Sequence, residues 1–177
     1  LGARKFIEAF AAPLMESVGS HWRAGDVKIA EEHLITASVR SQLGKLLSSS
    51  NSPEEAPMIV FTTLQGQVHE LGALMAAVIA SQSGWKTSFL GPNMPANEIA
   101  GAVIAARARA LGLSFTHSGD FECALNELED LFQLLPVGIT VMAGGRCVEK
   151  FNKVLEDRGA LICVGLTQFQ DELEQIN

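Results

Sequence analysis

Cysteine is scarce: Cys123, Cys147 and Cys163 are the only three in 177 residues, an odd number at wide spacing. A disulfide framework needs pairs, and a zinc site needs short Cys/His spacings. Neither pattern is here, so free thiols in a reducing cytoplasm are expected. Cations are short as well, with 13 Lys and Arg against 20 Asp and Glu and a formal net charge of −7. Gripping a nucleic-acid backbone takes clustered Lys and Arg. This chain is therefore not expected to grip nucleic acid by itself. No apolar run is long enough for a bilayer, and no charged-then-apolar leader is seen, so no membrane association is expected. A P-loop, a zinc spacing and a nucleophile–base pair are all missing, which argues against independent catalytic machinery. The chain opens at Leu1, without methionine and inside a helical pattern, so a fragment of a longer protein is expected.

What is present suits a folded core. Hydrophobic residues make up 47% of the chain, enough for one good-sized core or two small ones. The Ser-, Asn- and Pro-rich stretch at 48–57 reads as a flexible linker. Ahead of it, residues 3–18 carry Phe6, Ile7, Phe10, Leu14 and Val18 at helical spacing, with a stop at Gly19 or at Arg23-Ala24-Gly25. Asp26 is the expected N-cap of a second helix over 27–47. Two helices this apolar need partners for their buried stripes, so residues 1–47 read as part of an all-α helical bundle. Behind the linker, strands are expected at 58–64, 86–90, 111–116, 137–142 and 161–165. Helices are expected near 70–83, 95–109, 121–133, 146–158 and 167–175. Strand–helix alternation of this kind predicts an α/β fold, a flavodoxin-like (Rossmann-type), doubly wound, five-stranded parallel sheet over 58–177.

His69 stands out within that frame. It lies in Gln67-Val68-His69-Glu70-Leu71-Gly72, after the β-branched run 58–64 and before an alanine-rich helix. That places an imidazole in the loop at the carboxyl end of the first strand, where open α/β sheets bind ligands. A neutral imidazole there can ligate a transition metal, and Gly72 would let a bulky ligand approach the backbone. Two further features sit at strand ends: Ser114 and Thr116 after the third strand, and Gly144-Gly145 after the fourth.

This order and spacing resembles the cobalamin-binding (B12-binding) domain family over roughly 57–177. Its members carry an acid-x-His-x-x-Gly loop, a Ser-x-Leu or Ser-x-Thr segment and a Gly-Gly pair. The stretch Leu90-Gly91-Pro92-Asn93-Met94-Pro95 looks like that family too. The resemblance implies His69 as lower axial ligand of cobalt, with the corrinoid's own base displaced and its tail buried in the sheet domain. Gln67, Val68, Glu70, Leu71, Gly72, Leu90 and Gly91 would line the site. Ser114 and Thr116 would offer hydroxyls to the tail, and Gly144 and Gly145 would leave it room. The departure is Gln67, where the family has Asp or Glu hydrogen-bonded to the ring nitrogen that does not touch cobalt. A glutamine oxygen still accepts that bond but brings no charge, so weaker ligation is expected.

The helical region narrows the resemblance. Trp22 followed by Glu32-His33 is similar to light-dependent, cobalamin-binding transcription regulators of the CarH and LitR type in the MerR family. There a helical bundle caps the upper face of the corrinoid. The carry-over assigns Trp22, Ile29, Glu32 and His33 to that face, with Ile29, His33 and Ala37 on one helical stripe. Those regulators have a second histidine directly after the tryptophan; Arg23 stands here, which puts a bis-histidine light-state adduct in doubt. The resemblance implies an adenosylcobalamin-dependent light sensor that controls homo-oligomerisation and DNA binding by another domain. Two alternatives remain open: a corrinoid carrier of a methyltransferase system, using methylcobalamin, or an antirepressor binding haem or cobalamin.

Overall fold

The computed structural model describes residues 2–116 and 121–176. It divides into two compact units, 1–50 and 51–177.

The first unit is helical. α1 (Ala3–Phe6) runs into a π-helical turn, Ile7–Ala11, and then into α2 (Ala12–Ala24); α3 spans Ile29–Ser48. Pro13 explains the π turn. It has no N–H to donate, and its ring crowds the carbonyl four residues back. The helix widens there, and the Ala12 N–H reaches back to the Ile7 carbonyl. Gly19 does not stop the helix, which ends at Gly25 (φ 84°). The Gly25 N–H returns to Trp22 O at 3.0 Å and the Asp26 N–H to His21 O at 2.9 Å. That double closure is a Schellman ending, so Asp26 completes the helix before it and does not cap the one after it. The next helix is started by Glu31, whose carboxylate accepts the Lys28 N–H at 2.9 Å. Ile7, Ala11 and Val18 are buried on one side of the pair, and Val39 and Leu43 on the other. Phe10 and Leu34 stay exposed in this unit.

The second unit carries the sheet: β1 (Met58–Thr62), β2 (Lys86–Phe89), β3 (Ala110–Ser114), β4 (Thr140–Gly144) and β5 (Leu161–Cys163). All pairings are parallel, in the order β2-β1-β3-β4-β5, which is the expected flavodoxin-like winding. The intervening helices are α4 (Leu71–Gln82), α5 (Ala96–Ala105), α6 (Phe121–Leu134), α7 (Asn152–Asp157) and α8 (Leu166–Gln175). α4 packs with α8, and α5 with α6. Alternate strand residues point to opposite faces. Val60, Leu111 and Val141 join Ile99, Val103, Leu128 and Leu131 in one core. Phe61, one residue along, meets Phe169 of α8 edge-on with ring centroids 5.9 Å apart.

Several boundaries differ from the sequence reading, among them the helix expected over 95–109, which ends at Ala105. β4 begins at Thr140 and not at 137, because Pro136-Val137-Gly138 turns: Gly138 has φ 92° and Val137 is wholly exposed. The helix expected from 146 begins as a 3-10 turn, Val148–Phe151, before α7. The linker is also less loose than its composition reads. Ser52 Oγ donates to Trp85 O at 2.7 Å, Lys86 N–H to Pro57 O at 2.9 Å, and Lys86 Nζ to Glu54 O. Residues 52–57 are thus fastened to the start of β2. Among the described residues no helix is long and apolar enough to cross a membrane.

The strand order places the site. β1 and β3 are neighbours, yet the chain leaves β1 for α4 and reaches α6 after β3, on opposite faces. A crevice opens between such diverging loops at the carboxyl ends of the strands. The loop bearing His69 is one lip, and Ser114–Thr116 is the other.

Candidate functional site

The residues from Thr63 to Glu70 form the lip after β1. His69 is exposed, and so is Val68 at 58%, while Gln67 between them and the strand is only 2% exposed. The imidazole therefore stands at the rim on a backbone fixed from behind.

That fixing is a chain of hydrogen bonds across three loops. Thr63 is fully buried; its hydroxyl donates to the Gln67 carbonyl and accepts the Asn93 N–H at 2.9 Å. Asn93 Oδ1 accepts the Gly66 N–H at 2.7 Å, and the Met94 N–H donates to Thr63 O at 3.0 Å. Thr62 Oγ1 donates to Gly91 O at 2.7 Å, and Leu90 N–H to Phe61 O at 3.0 Å. So Leu90 and Gly91 belong to the neighbouring loop that buttresses this one. On the other lip, the Thr116 N–H donates to Gln67 Oε1 at 3.3 Å, and Thr116 Oγ1 to the His69 carbonyl at 3.4 Å. Beyond the histidine, Glu70 takes the N-cap position of α4 and Leu71 is its first, half-buried residue.

Several expected roles look different in this light. The Gln67 oxygen, expected to serve the imidazole, accepts the Thr116 N–H. The Thr116 hydroxyl is spent on the histidine's own carbonyl. Ser114 is buried, and its Oγ lies 2.7 Å from where a Cβ on Gly72 would stand. The absent side chain at Gly72 thus lets β3 approach the first turn of α4. The Gly144-Gly145 pair has a similar explanation. The Phe115 N–H donates to Gly144 O and the Cys147 N–H to Phe115 O, each at 2.8 Å. A Cβ on Gly145 (φ 104°) would stand 2.4 Å from Phe115 O. The close neighbour here is the Phe115 backbone.

In the helical unit, Trp22 (48%) and Ile29 (61%) are exposed apolar residues, and His33 is exposed on α3. Glu32 accepts the Thr36 hydroxyl at 2.7 Å, and its other oxygen lies 3.4 Å from His33 Nε2. His21 is engaged locally, its Nδ1–H donating to Ser17 O at 2.8 Å.

Chemically, the described residues of the sheet unit offer one rim imidazole, that of His69. Among the described residues no group of three or more His, Cys, Asp or Glu side chains is placed to hold a metal ion. A metal at His69 would have to bring most of its donors with it. Cys163, at the end of β5, does not compete: burial, and then the nearby Glu172 carboxylate, pushes its thiol up to about 11. Near neutral pH it is a protonated thiol, and thiolate is the ligating form.

Sequence reasoning found the histidine but missed Thr63 and Asn93. A threonine pair ending a β-branched run was the available signal for the first. Nothing local pairs it with a residue thirty positions away.

Comparison with known proteins adds the following. The B12 binding domain family matches residues 57–176. The HTH-type transcriptional repressor CarH of Myxococcus xanthus is 32% identical over 152 residues, covering 86% of this chain and 50% of the relative. The HTH-type transcriptional repressor CarA of the same organism is 25% identical over 155 residues, covering 88% and 52%. The chain thus spans about half the length of these relatives. A cobalamin-binding protein from Desulfitobacterium hafniense has a similar fold, with TM-score 0.60, 21% identity, and coverage of 99% of this chain and 83% of that one. The monomethylamine corrinoid protein of Methanosarcina barkeri superposes with TM-score 0.74 at 14% identity, covering 100% and 85%.

Proposed function

The chain belongs to the B12-binding domain family, and from that premise we propose that it is the corrinoid-binding sensory part of a transcription regulator. One observation carries the reading. Among the described residues, one exposed imidazole, that of His69, stands at the β1/β3 crevice on a loop anchored from behind, with no cluster of protein donors beside it. A planar macrocycle that supplies its own ring nitrogens needs only one axial donor from the protein, so these residues fit a corrinoid.

His69 is the proposed lower axial ligand, with Gln67 behind it and Val68 giving apolar surface beneath the ring. Trp22, Ile29, Glu32 and His33 are the proposed contacts to the upper face; two of them are large apolar side chains left exposed in their own unit. Adenosylcobalamin is the proposed form, and when bound it supplies a light-labile cobalt–carbon bond. The role of the chain is to hold that group and to convert its presence into a state of assembly. The regulatory reading draws on the 32% identity to a protein named as an HTH-type transcriptional repressor. DNA binding is assigned to a part of the protein outside these 177 residues, consistent with the net charge of −7.

The test is anaerobic mixing with adenosylcobalamin or methylcobalamin in the dark, followed by green illumination, with absorption spectra and size-exclusion profiles before and after. Uptake of adenosylcobalamin with a light-dependent change in elution, both lost in His69→Ala, is the expected result. No uptake, or uptake with the corrinoid's own base still on cobalt, overturns it. Methyl transfer from the methylcobalamin form to a carrier's partner enzymes would instead make the protein a corrinoid carrier.

A further inference from the structure

We propose that Asn93, with Thr63, is a positioning residue for the metal-ligating histidine, although it lies on a different loop. The inference rests on the corrinoid reading above and concerns how that site is held. Asn93 sits after β2 with φ 62°, a left-handed conformation that Asn tolerates better than most residues. The conformation lets both ends of the residue work. Its N–H donates to Thr63 Oγ1, and its Oδ1 accepts the Gly66 N–H. Thr63 Oγ1 then donates to the Gln67 carbonyl, two residues before His69. The Gln67 side chain receives the Thr116 N–H, and the Thr116 hydroxyl reaches the His69 carbonyl. Asn93, Thr63, Gln67 and Thr116 thus form one hydrogen-bonded path that ends on the backbone of the histidine itself. Leu64 and Met94 pair in a parallel bridge beside it, which keeps the two loops in register.

The geometry gives this path a defined consequence. An axial ligand competes with the corrinoid's own base, and it competes best when its backbone is fixed before the cofactor arrives. Side chains that orient a metal ligand from behind are typically worth 10–100-fold in affinity. Asn93 is exposed and partly solvated, so the lower end of that range, roughly 10-fold, is expected for its loss.

Asn93→Gly is the chosen variant. Glycine keeps the positive φ and the backbone N–H bond to Thr63, and it deletes only the acceptor for Gly66. Thr63→Val removes both bonds of the buried hydroxyl, and Thr63→Ser restores them. The readout is the cob(II)alamin EPR spectrum of protein grown with 15N-histidine, which separates imidazole-ligated cobalt from cobalt carrying its own base. Thermal melts of the cofactor-free proteins run alongside. At saturating cobalamin, the expected result is a roughly 10-fold fall in the ratio of histidine-ligated to base-ligated cobalt in Asn93→Gly. The Thr63→Val fall is larger, and Thr63→Ser is close to wild type. If wild type is histidine-ligated and Asn93→Gly keeps its full ratio, the positioning role is refuted. A loss of melting temperature with an unchanged ratio refutes it equally. If wild type itself never shows histidine ligation, the corrinoid reading fails first.

Discussion

Gly145→Ala separates two explanations for the Gly-Gly pair. If the glycines only leave room for a ligand, the substitution weakens cofactor uptake and leaves the empty protein as stable as before. The structure gives the opposite expectation. Gly145 has φ 104°, and a Cβ there would lie 2.4 Å from Phe115 O, 2.8 Å from its N and 2.9 Å from its C. These are backbone atoms, held by the Phe115 N–H bond to Gly144 O and the Cys147 N–H bond to Phe115 O, so they yield only if those bonds lengthen. The left-handed backbone alone costs an alanine about 1–2 kcal/mol. Overpacking against fixed neighbours adds about 1–3 kcal/mol. Gly138→Ala is the control, because Gly138 has φ 92° but nothing within 4 Å of its would-be Cβ. It should lose only the backbone part. The chain has two tryptophans, and in a Trp22→Phe background the buried Trp85 alone reports unfolding of the sheet unit. At about 2–4 °C per kcal/mol, Gly145→Ala should melt several degrees below Gly138→Ala without any cofactor. Equal melting temperatures, with cobalamin uptake lost only in Gly145→Ala, would refute the backbone explanation.

Two other expectations follow from the site. Gln67→Glu should tighten cobalamin binding by up to roughly 10-fold, since a carboxylate raises the basicity of an imidazole ligand more than an amide does; titration reads it, and unchanged affinity removes Gln67 from the path to His69. Cys163 should be the last thiol to react with iodoacetamide at pH 8. Burial disfavours its thiolate, which forms only as pH climbs toward about 11, whereas Cys123 and Cys147 are partly accessible. Peptide mass spectrometry after timed labelling checks the order, and equal rates for all three would contradict it.

The order of elements was readable because every strand but β2 (Lys86–Phe89) is a short β-branched or apolar run and the helices fall between them. Boundaries failed where one residue type serves two purposes. Val137 and Ile139 look like strand, yet Gly138 turns the chain and leaves Val137 in solvent. Asp26 looks like a cap for the following helix, yet its backbone N–H closes the preceding one. The histidine was readable from its loop and its place after β1. The protein neighbours of the glycines were not, because sequence shows that a side chain is missing but not which atoms pack against the gap. Asn93 and Thr63 were illegible for a simpler reason: their bond joins residues from loops that only the sheet brings together.

The parallel winding also sets when this crevice comes into being during synthesis. β1 ends at Thr62, but β3 begins only at Ala110 and the Thr116 lip follows it. A ribosome adding roughly 5–20 residues per second needs several seconds to cover that interval. Throughout it, the imidazole has been made but its opposite lip has not. The crevice is therefore a late product of translation, and a nascent chain arrested before residue 116 should take up no cobalamin however much of β1 it has folded.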